Sequence, residues 1–223
     1  ILAAMAGTGA GAGAAPERVL AIGGAITEIV YALGQQDRPI GRDSTSTFPP
    51  EARALPDLGY MRALSPEGVL SAGPDLILAD ADAGPPEAVA AIEAASVPYV
   101  EVPSDESPEG VAEKIRVVAG ALGVPEEGAA LAGRVEAAIR AAMQAAAPTH
   151  PRAIFLLSVE GGRLMAAGSG TGAEAMLRLA GGENALTGFD GYKLVSAEAV
   201  LEAAPEVVVM MDRDGDHGAA AGT

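Results

Sequence analysis

The sequence repeats one of its own segments. Ser65-Pro66-Glu67-Gly68-Val69-Leu70 runs on through Ala72 and Pro74-Asp75 into Leu76-Ile77-Leu78. It aligns with Ser196-Ala197-Glu198-Ala199-Val200-Leu201, which runs on through Ala203 and Pro205-Glu206 into Val207-Val208-Val209. Serine, glutamate, valine, leucine, alanine and proline recur at identical spacing, and each copy then has an acid and an apolar run. A match of this density implies two lobes of related βα construction. Each copy also has a local physical logic. Serine caps a helix, an acid in the first turn suits the positive end of the helix dipole, and the apolar run is a buried strand.

Strands and helices alternate around the first copy. Arg18 to Ile22 predicts a strand ending at Gly23-Gly24, and Thr27 to Leu33 a helix stopped by Gly34. A short strand follows over Pro39 to Gly41. Asp43 to Leu64 is then polar, contains three prolines, and is too long for a plain connector. After the repeat come a helix from Pro86 to Ala95 and a strand from Pro98 to Val102. Ser107 to Ala147 reads as helical, interrupted around Gly123-Val124-Pro125. Strands resume at Ala153 to Leu157 and Arg163 to Ala166, followed by a helix from Ala173 to Leu179.

This alternation predicts an α/β protein of two Rossmann-like lobes joined by a long connecting helix, with a ligand cleft between the lobes. The expected divisions are a signal-peptide remnant or flexible tail (1–15), an N-terminal lobe (16–106), a connecting helical segment (107–149) and a partial C-terminal lobe (150–223). The last is expected to be incomplete, because no counterpart of a final strand and helix follows Val209. Residues Ile1 to Ala15 carry no charge, and Ala12-Gly13-Ala14 has the form of an export cleavage site. Export to the periplasm is therefore expected.

Composition removes several classes of function. With 14 Lys and Arg against 30 Asp and Glu, the net charge is −16, which repels phosphate backbones and argues against nucleic acid as a partner. The absence of cysteine excludes disulfides, thiolate metal sites and cysteine nucleophiles. The two histidines, His150 and His217, leave little for a histidine-based metal site.

Three segments carry a family resemblance: Ile22-Gly23-Gly24-Ala25-Ile26-Thr27-Glu28 through Gly34, Leu55-Pro56-Asp57-Leu58-Gly59-Tyr60-Met61-Arg62 through Ser65, and Gly188-Phe189-Asp190-Gly191-Tyr192-Lys193. From about Pro16 to Met211 the chain resembles the haem-binding periplasmic proteins of bacterial haem ABC importers, within the group that binds cobalamin and siderophores. The resemblance implies a carrier rather than an enzyme, with haem b as transported ligand. It implies a monomer that is not inserted in a membrane and that delivers to a permease dimer at the inner membrane. It places the axial ligand of the haem iron at Tyr60. Ferric iron is a hard cation and phenolate oxygen is a known axial ligand. A free phenol titrates near pH ~10, so the anion must be favoured by the metal and by nearby positive charge. Arg62 could supply that charge, and the resemblance also points to an arginine of the opposite lobe, for which Arg213 is the candidate.

Glu67 and Glu198, at matched places in the repeat, have the roles of permease-docking residues in the resembled family. Glu28 and Glu174 are expected to be helix-start residues, and Tyr31, spaced with Ile26, Ile29 and Leu33, to lie in the core. Some family members hold a second haem through a histidine in the loop corresponding to Ser158-Val159-Glu160-Gly161-Gly162. Its absence here argues against that route. Two alternatives stand beside this reading: a cobalamin or siderophore carrier of the same fold, and an NAD-linked enzyme. The latter rests on Gly168-Ser169-Gly170-Thr171-Gly172-Ala173, a G-x-G-x-x-A motif between a strand and a helix, with Asp190 as the ribose acid.

Overall fold

A computed structural model describes residues 15–146 and 148–210. The described residues divide into two compact units, 15–105 with 109–134, and 106–108 with 135–146 and 148–210. The class is α/β, as the alternation implies.

The first unit opens with β1 (Val19–Ile22), every residue of which is buried. Gly23 follows at φ 120°, a conformation that L side chains rarely adopt, and a Cβ there would sit 3.2 Å from Cβ of Asp80. The turn can therefore pass close to the neighbouring strand end and enter α1 (Gly24–Ala32) at once. Then come β2 (Pro39–Arg42), α2 (Pro66–Ser71), β3 (Leu76–Asp80), α3 (Pro86–Glu93), β4 (Tyr99–Val102) and α4 (Pro108–Ala121). The sheet order is β2-β1-β3-β4, all parallel, with Leu20 opposite Ile77 and Leu78 opposite Val100. A parallel sheet needs cover on both faces, which is why β3 is apolar throughout except at its final aspartate. Leu20, Ile22, Val69, Ile77 and Ile92 form the core. The next helix, α5 (Pro125–Ala145), carries the division between the units, which falls after Arg134.

The second unit is built around β5 (Arg152–Glu160). Gly161 and Gly162, both at positive φ, turn the chain into β6 (Arg163–Ala167), which pairs antiparallel with β5. After α6 (Gly172–Leu179) come β7 (Glu183–Asn184), β8 (Tyr192–Val195), α7 (Ala197–Ala203) and β9 (Val207–Met210). Ala153 pairs with both Asn184 and Val207, and Leu156 with both Ala166 and Met210. Hence β9 occupies one edge of β5, while β7 and β6 share the other. The sheet is mixed, since β8 is antiparallel to β6.

The repeat survives in three dimensions. Ser65 Oγ accepts from Gly68 N at 3.3 Å, and Ser196 Oγ accepts from Ala199 N at 3.2 Å. Val19 pairs with Leu76 in parallel register, as Ala153 does with Val207. A further correspondence lay outside the sequence match. Arg18 donates to the carbonyls of Ala72 and Gly73, both at 2.7 Å, and Arg152 donates to that of Ala203 at 2.7 Å. In each unit a strand-opening arginine ties off the C-terminus of the repeated helix.

Two expectations for α1 need correction. Tyr31 is only half-buried, because it lies about 200° around a helix from Ile29 and Leu33 and so points away from their face. Glu28 is exposed in mid-helix, not in the first turn, and partial desolvation raises its carboxyl pKa.

Candidate functional site

The loop after β2 is pinned on both sides of Tyr60. Arg42 N donates to Pro56 O at 3.0 Å and Leu58 N to Arg42 O at 2.9 Å, extending the parallel pairing of the sheet into the loop. Arg42 Nη1 also meets Asp57 Oδ2 at 3.2 Å. Upstream, Asp43 is 1% exposed and accepts from Gly23 N, Thr45 N, Thr45 Oγ1 and Ser46 Oγ at 2.6–3.0 Å. A buried carboxylate so fully satisfied fixes the start of the loop to the first turn of the fold. Beyond Tyr60, Gly84 N donates to Met61 O at 2.9 Å, and Leu64 N to Gly84 O at 2.8 Å. Met61 and Leu64 are buried in the core, whereas Tyr60 between these anchors is 44% exposed. Ala63 N donates to Tyr60 O at 2.8 Å, closing a turn with the phenol at its outer side.

Arg62 Nη1 donates to the Tyr60 phenolic oxygen at 3.0 Å. That hydrogen bond is the main reason the guanidinium pKa is raised, with smaller contributions from the charges of Asp82 and Asp80. The other terminal nitrogen, Nη2, lies 3.6 Å from Asp82 Oδ2. Ser104 Oγ approaches the same carboxylate oxygen at 3.5 Å. Below them Asp80 and Lys114 form a buried ion pair at 3.3 Å. Tyr60, Asp82 and Ser104 thus come from three loops leaving the C-terminal ends of β2, β3 and β4. In open parallel sheets that end is where ligands bind. The sequence pointed to Tyr60 and Arg62. It did not point to Asp82 or Ser104, although an aspartate just past a buried strand was a usable signal.

Glu67 is exposed in the first turn of α2, and Glu198 is exposed in the first turn of α7. The Glu198 carboxyl is held below its usual range by hydrogen bonds from its own backbone N–H and from the Ser196 side chain. Arg213 and His217 lie outside the described residues. His150 is exposed, with Nδ1 3.1 Å from Gly181 O. Among the described residues, no group of His, Cys, Asp or Glu could hold a bare metal ion, and no helix is long and apolar enough to cross a membrane.

The glycine motif at 168–173 does not make a dinucleotide site. Its strand, β6, runs antiparallel to both neighbours, so it is not the first strand of a βαβ unit. A side chain at Gly168 would collide with Phe189, so that glycine is needed for packing. Thr171 Oγ1 accepts from Glu174 N at 3.1 Å, while Glu174 Oε2 accepts from Gly170 N at 2.7 Å. This reciprocal cap gives Glu174 the helix-start role expected of it and occupies donors that a pyrophosphate would need.

The family model described as periplasmic binding protein matches residues 19–221. The solved periplasmic haem-binding protein BhuT, in complex with two haems, is 44% identical with a TM-score of 0.79, covering 86% of this chain and 76% of its own. Among curated proteins, the vitamin B12-binding protein of Photorhabdus laumondii is 26% identical, covering 88% of this chain and 71% of its own. An uncharacterized ABC transporter substrate-binding lipoprotein of Bacillus subtilis, YvrC, is 23% identical over 88% of this chain. The chain spans 64% of the length of that relative.

Proposed function

The chain belongs to the periplasmic binding protein family, and from that premise we propose that it captures ferric haem for an ABC importer through the phenolate of Tyr60. The family and the solved relative are substrate-binding proteins, and the chain is not an enzyme. The observation that carries the haem reading is the Arg62–Tyr60 hydrogen bond of 3.0 Å on an exposed, doubly anchored turn. The guanidinium stays charged, so it sets a fixed positive charge and a hydrogen-bond donor beside the phenolic oxygen that would meet a hard cation. Cobalamin or a siderophore is the second reading, supported by the similarity to a vitamin B12-binding protein. The higher identity to a haem binder and the Tyr60–Arg62 pair favour haem.

In this proposal the carrier acts outside the cytoplasm, in the periplasm, after export by an N-terminal signal. It works as a monomer and docks on a permease dimer at the inner membrane through Glu67 and Glu198. Each acid projects from the start of a serine-capped helix at matched places in the repeat. Reversing both charges should abolish transport and leave haem binding intact, and normal transport by the double variant would remove the docking role.

Titrating the protein with ferric haem tests the central claim. A Soret band with a high-spin ferric tyrosinate spectrum is expected, and cobalamin should leave no comparable saturable change. Tyr60→Phe keeps the ring and deletes the oxygen. It should lose that spectrum and weaken binding beyond the ~10–100-fold typical of losing an outer-shell partner. A Tyr60→Phe spectrum identical to the parent's would mean that another residue holds the iron.

A further inference from the structure

We propose that Asp82 is a positioning residue for the cargo site, holding the Arg62 guanidinium in the orientation that addresses the Tyr60 oxygen. The inference rests on the haem reading above. Arg62 has two faces in use: Nη1 toward Tyr60 at 3.0 Å and Nη2 toward Asp82 at 3.6 Å. The fork is hydrogen-bonded at one end and lies within ion-pair reach at the other, so turning it away from the phenol would also carry it away from the Asp82 carboxylate. An arginine side chain otherwise has considerable rotamer freedom to lose.

Asp82 itself is well founded. Its N–H donates to Asp80 Oδ1 at 3.0 Å, and the other oxygen of Asp80 meets the buried Lys114 ammonium at 3.3 Å. Ala81 N donates to Val102 O at 2.9 Å and Ala83 N to Asp80 O at 2.8 Å, so the backbone on both sides of Asp82 is tied to the sheet. Gly84, two residues on, exchanges hydrogen bonds with Met61 and Leu64. The turn that carries Arg62 and the turn that carries Asp82 are thereby one backbone unit, and the distance between the two side chains is set by that unit.

The ion pair is not there for stability. Its side chains are 55% and 58% exposed, a setting in which such pairs contribute little. The pair matters when a flat apolar ligand covers it, because displacement of water strengthens every charge interaction beneath. Charge and position then predict opposite outcomes for Asp82→Asn. If Asp82 acted only through its negative charge, removing it would favour the tyrosinate and lower the pH at which the haem complex is lost. If it positions Arg62, removing it leaves the guanidinium free and raises that pH.

The test is an acid titration of the ferric complex, followed through the tyrosinate spectrum, for the parent, Asp82→Asn, Arg62→Ala and the double variant. Expected are a higher acid midpoint for Asp82→Asn, haem affinity lowered about threefold to tenfold, and no further change when Asp82→Asn is added to Arg62→Ala. In the cargo-free protein, the order parameter of the Arg62 Nε–H should fall in Asp82→Asn. A midpoint that is unchanged or lowered, or equal losses with and without Arg62, overturns the positioning role while the haem reading stands. Absence of a tyrosinate spectrum in the parent protein overturns both.

Discussion

The two units contain the same local device in different surroundings. In the first, β3 is flanked by β1 and β4, and all five of its residues are buried. In the second, β9 pairs only with β5 among the described residues, and Val207, Val208 and Val209 are 41%, 52% and 37% exposed. Val69 of α2 is fully buried, whereas α7 has no buried residue and Leu201 is 78% exposed. Yet the serine caps, the arginine ties and the strand registers agree. Local sequence is therefore sufficient to specify the helix–turn–strand unit, while its burial depends on what lies next to it.

Matched substitutions separate these two contributions. The largest difference is expected between Ile77→Ala and Val208→Ala, which sit at the same position of the repeat. Ile77 is fully buried in the core, so truncation should cost about 3–4 kcal/mol of the first unit's stability. Val208→Ala, at a half-exposed strand edge, should cost no more than about 0.5 kcal/mol. Urea unfolding, with native-state hydrogen exchange to assign the loss to β3 or β9, measures both. Equal costs would show that β9 is covered in solution and that the contrast between the units is not real.

The arginine ties should differ less. Arg18 makes two hydrogen bonds to the end of α2 and Arg152 makes one to the end of α7. Exposed bonds of this kind contribute about 0.5–1.5 kcal/mol each. Arg18→Ala should therefore cost about 1–2 kcal/mol and Arg152→Ala about 1 kcal/mol, read from the same exchange experiment. A ratio reversed in favour of Arg152 would show that the two ties are not equivalent.

What could be read from the sequence follows the same division. The repeated segment was legible because cap, dipole acid, helix stop and strand are all encoded within a few residues. The strand Tyr192–Val195 and the two-residue β7 were not foreseen, because each exists only through pairing with β6 or β5. The antiparallel course of β6 was announced by Gly161-Gly162, but the glycine motif after it suggested a parallel βαβ unit instead. At the site, Tyr60 and Arg62 stood together in one recognisable segment. Asp82 reaches Arg62 because the turn after β3 is hydrogen-bonded to the turn after Tyr60, and Ser104 reaches Asp82 because β3 and β4 are neighbours, and neither pairing is written in any single stretch of chain. Tyr31 was misplaced by a spacing argument that counted residues without following the helix around its axis.

The smallest effect tests the repeat most locally. Ser65→Ala and Ser196→Ala each remove a cap hydroxyl whose bond to the helix is almost the same length, 3.3 Å and 3.2 Å. Each should cost about 1 kcal/mol, in contrast to the unequal core substitutions. Ser196 has a second role, since its side chain helps hold the Glu198 carboxyl below the usual range, after the helix backbone itself. A depressed carboxyl stabilises the folded state above its unfolded pKa, and the contribution disappears as pH falls through the folded value. Ser196→Ala should therefore raise the Glu198 pKa toward that of an ordinary glutamate and narrow this acid-side dependence, without abolishing it, because the backbone donor remains. Carbon-detected NMR titration of the Glu198 carboxyl in the parent and variant reads the change directly. A titration unmoved by loss of the hydroxyl would assign the whole effect to the helix N-terminus, and the cap and the acid would then be independent features of the repeat.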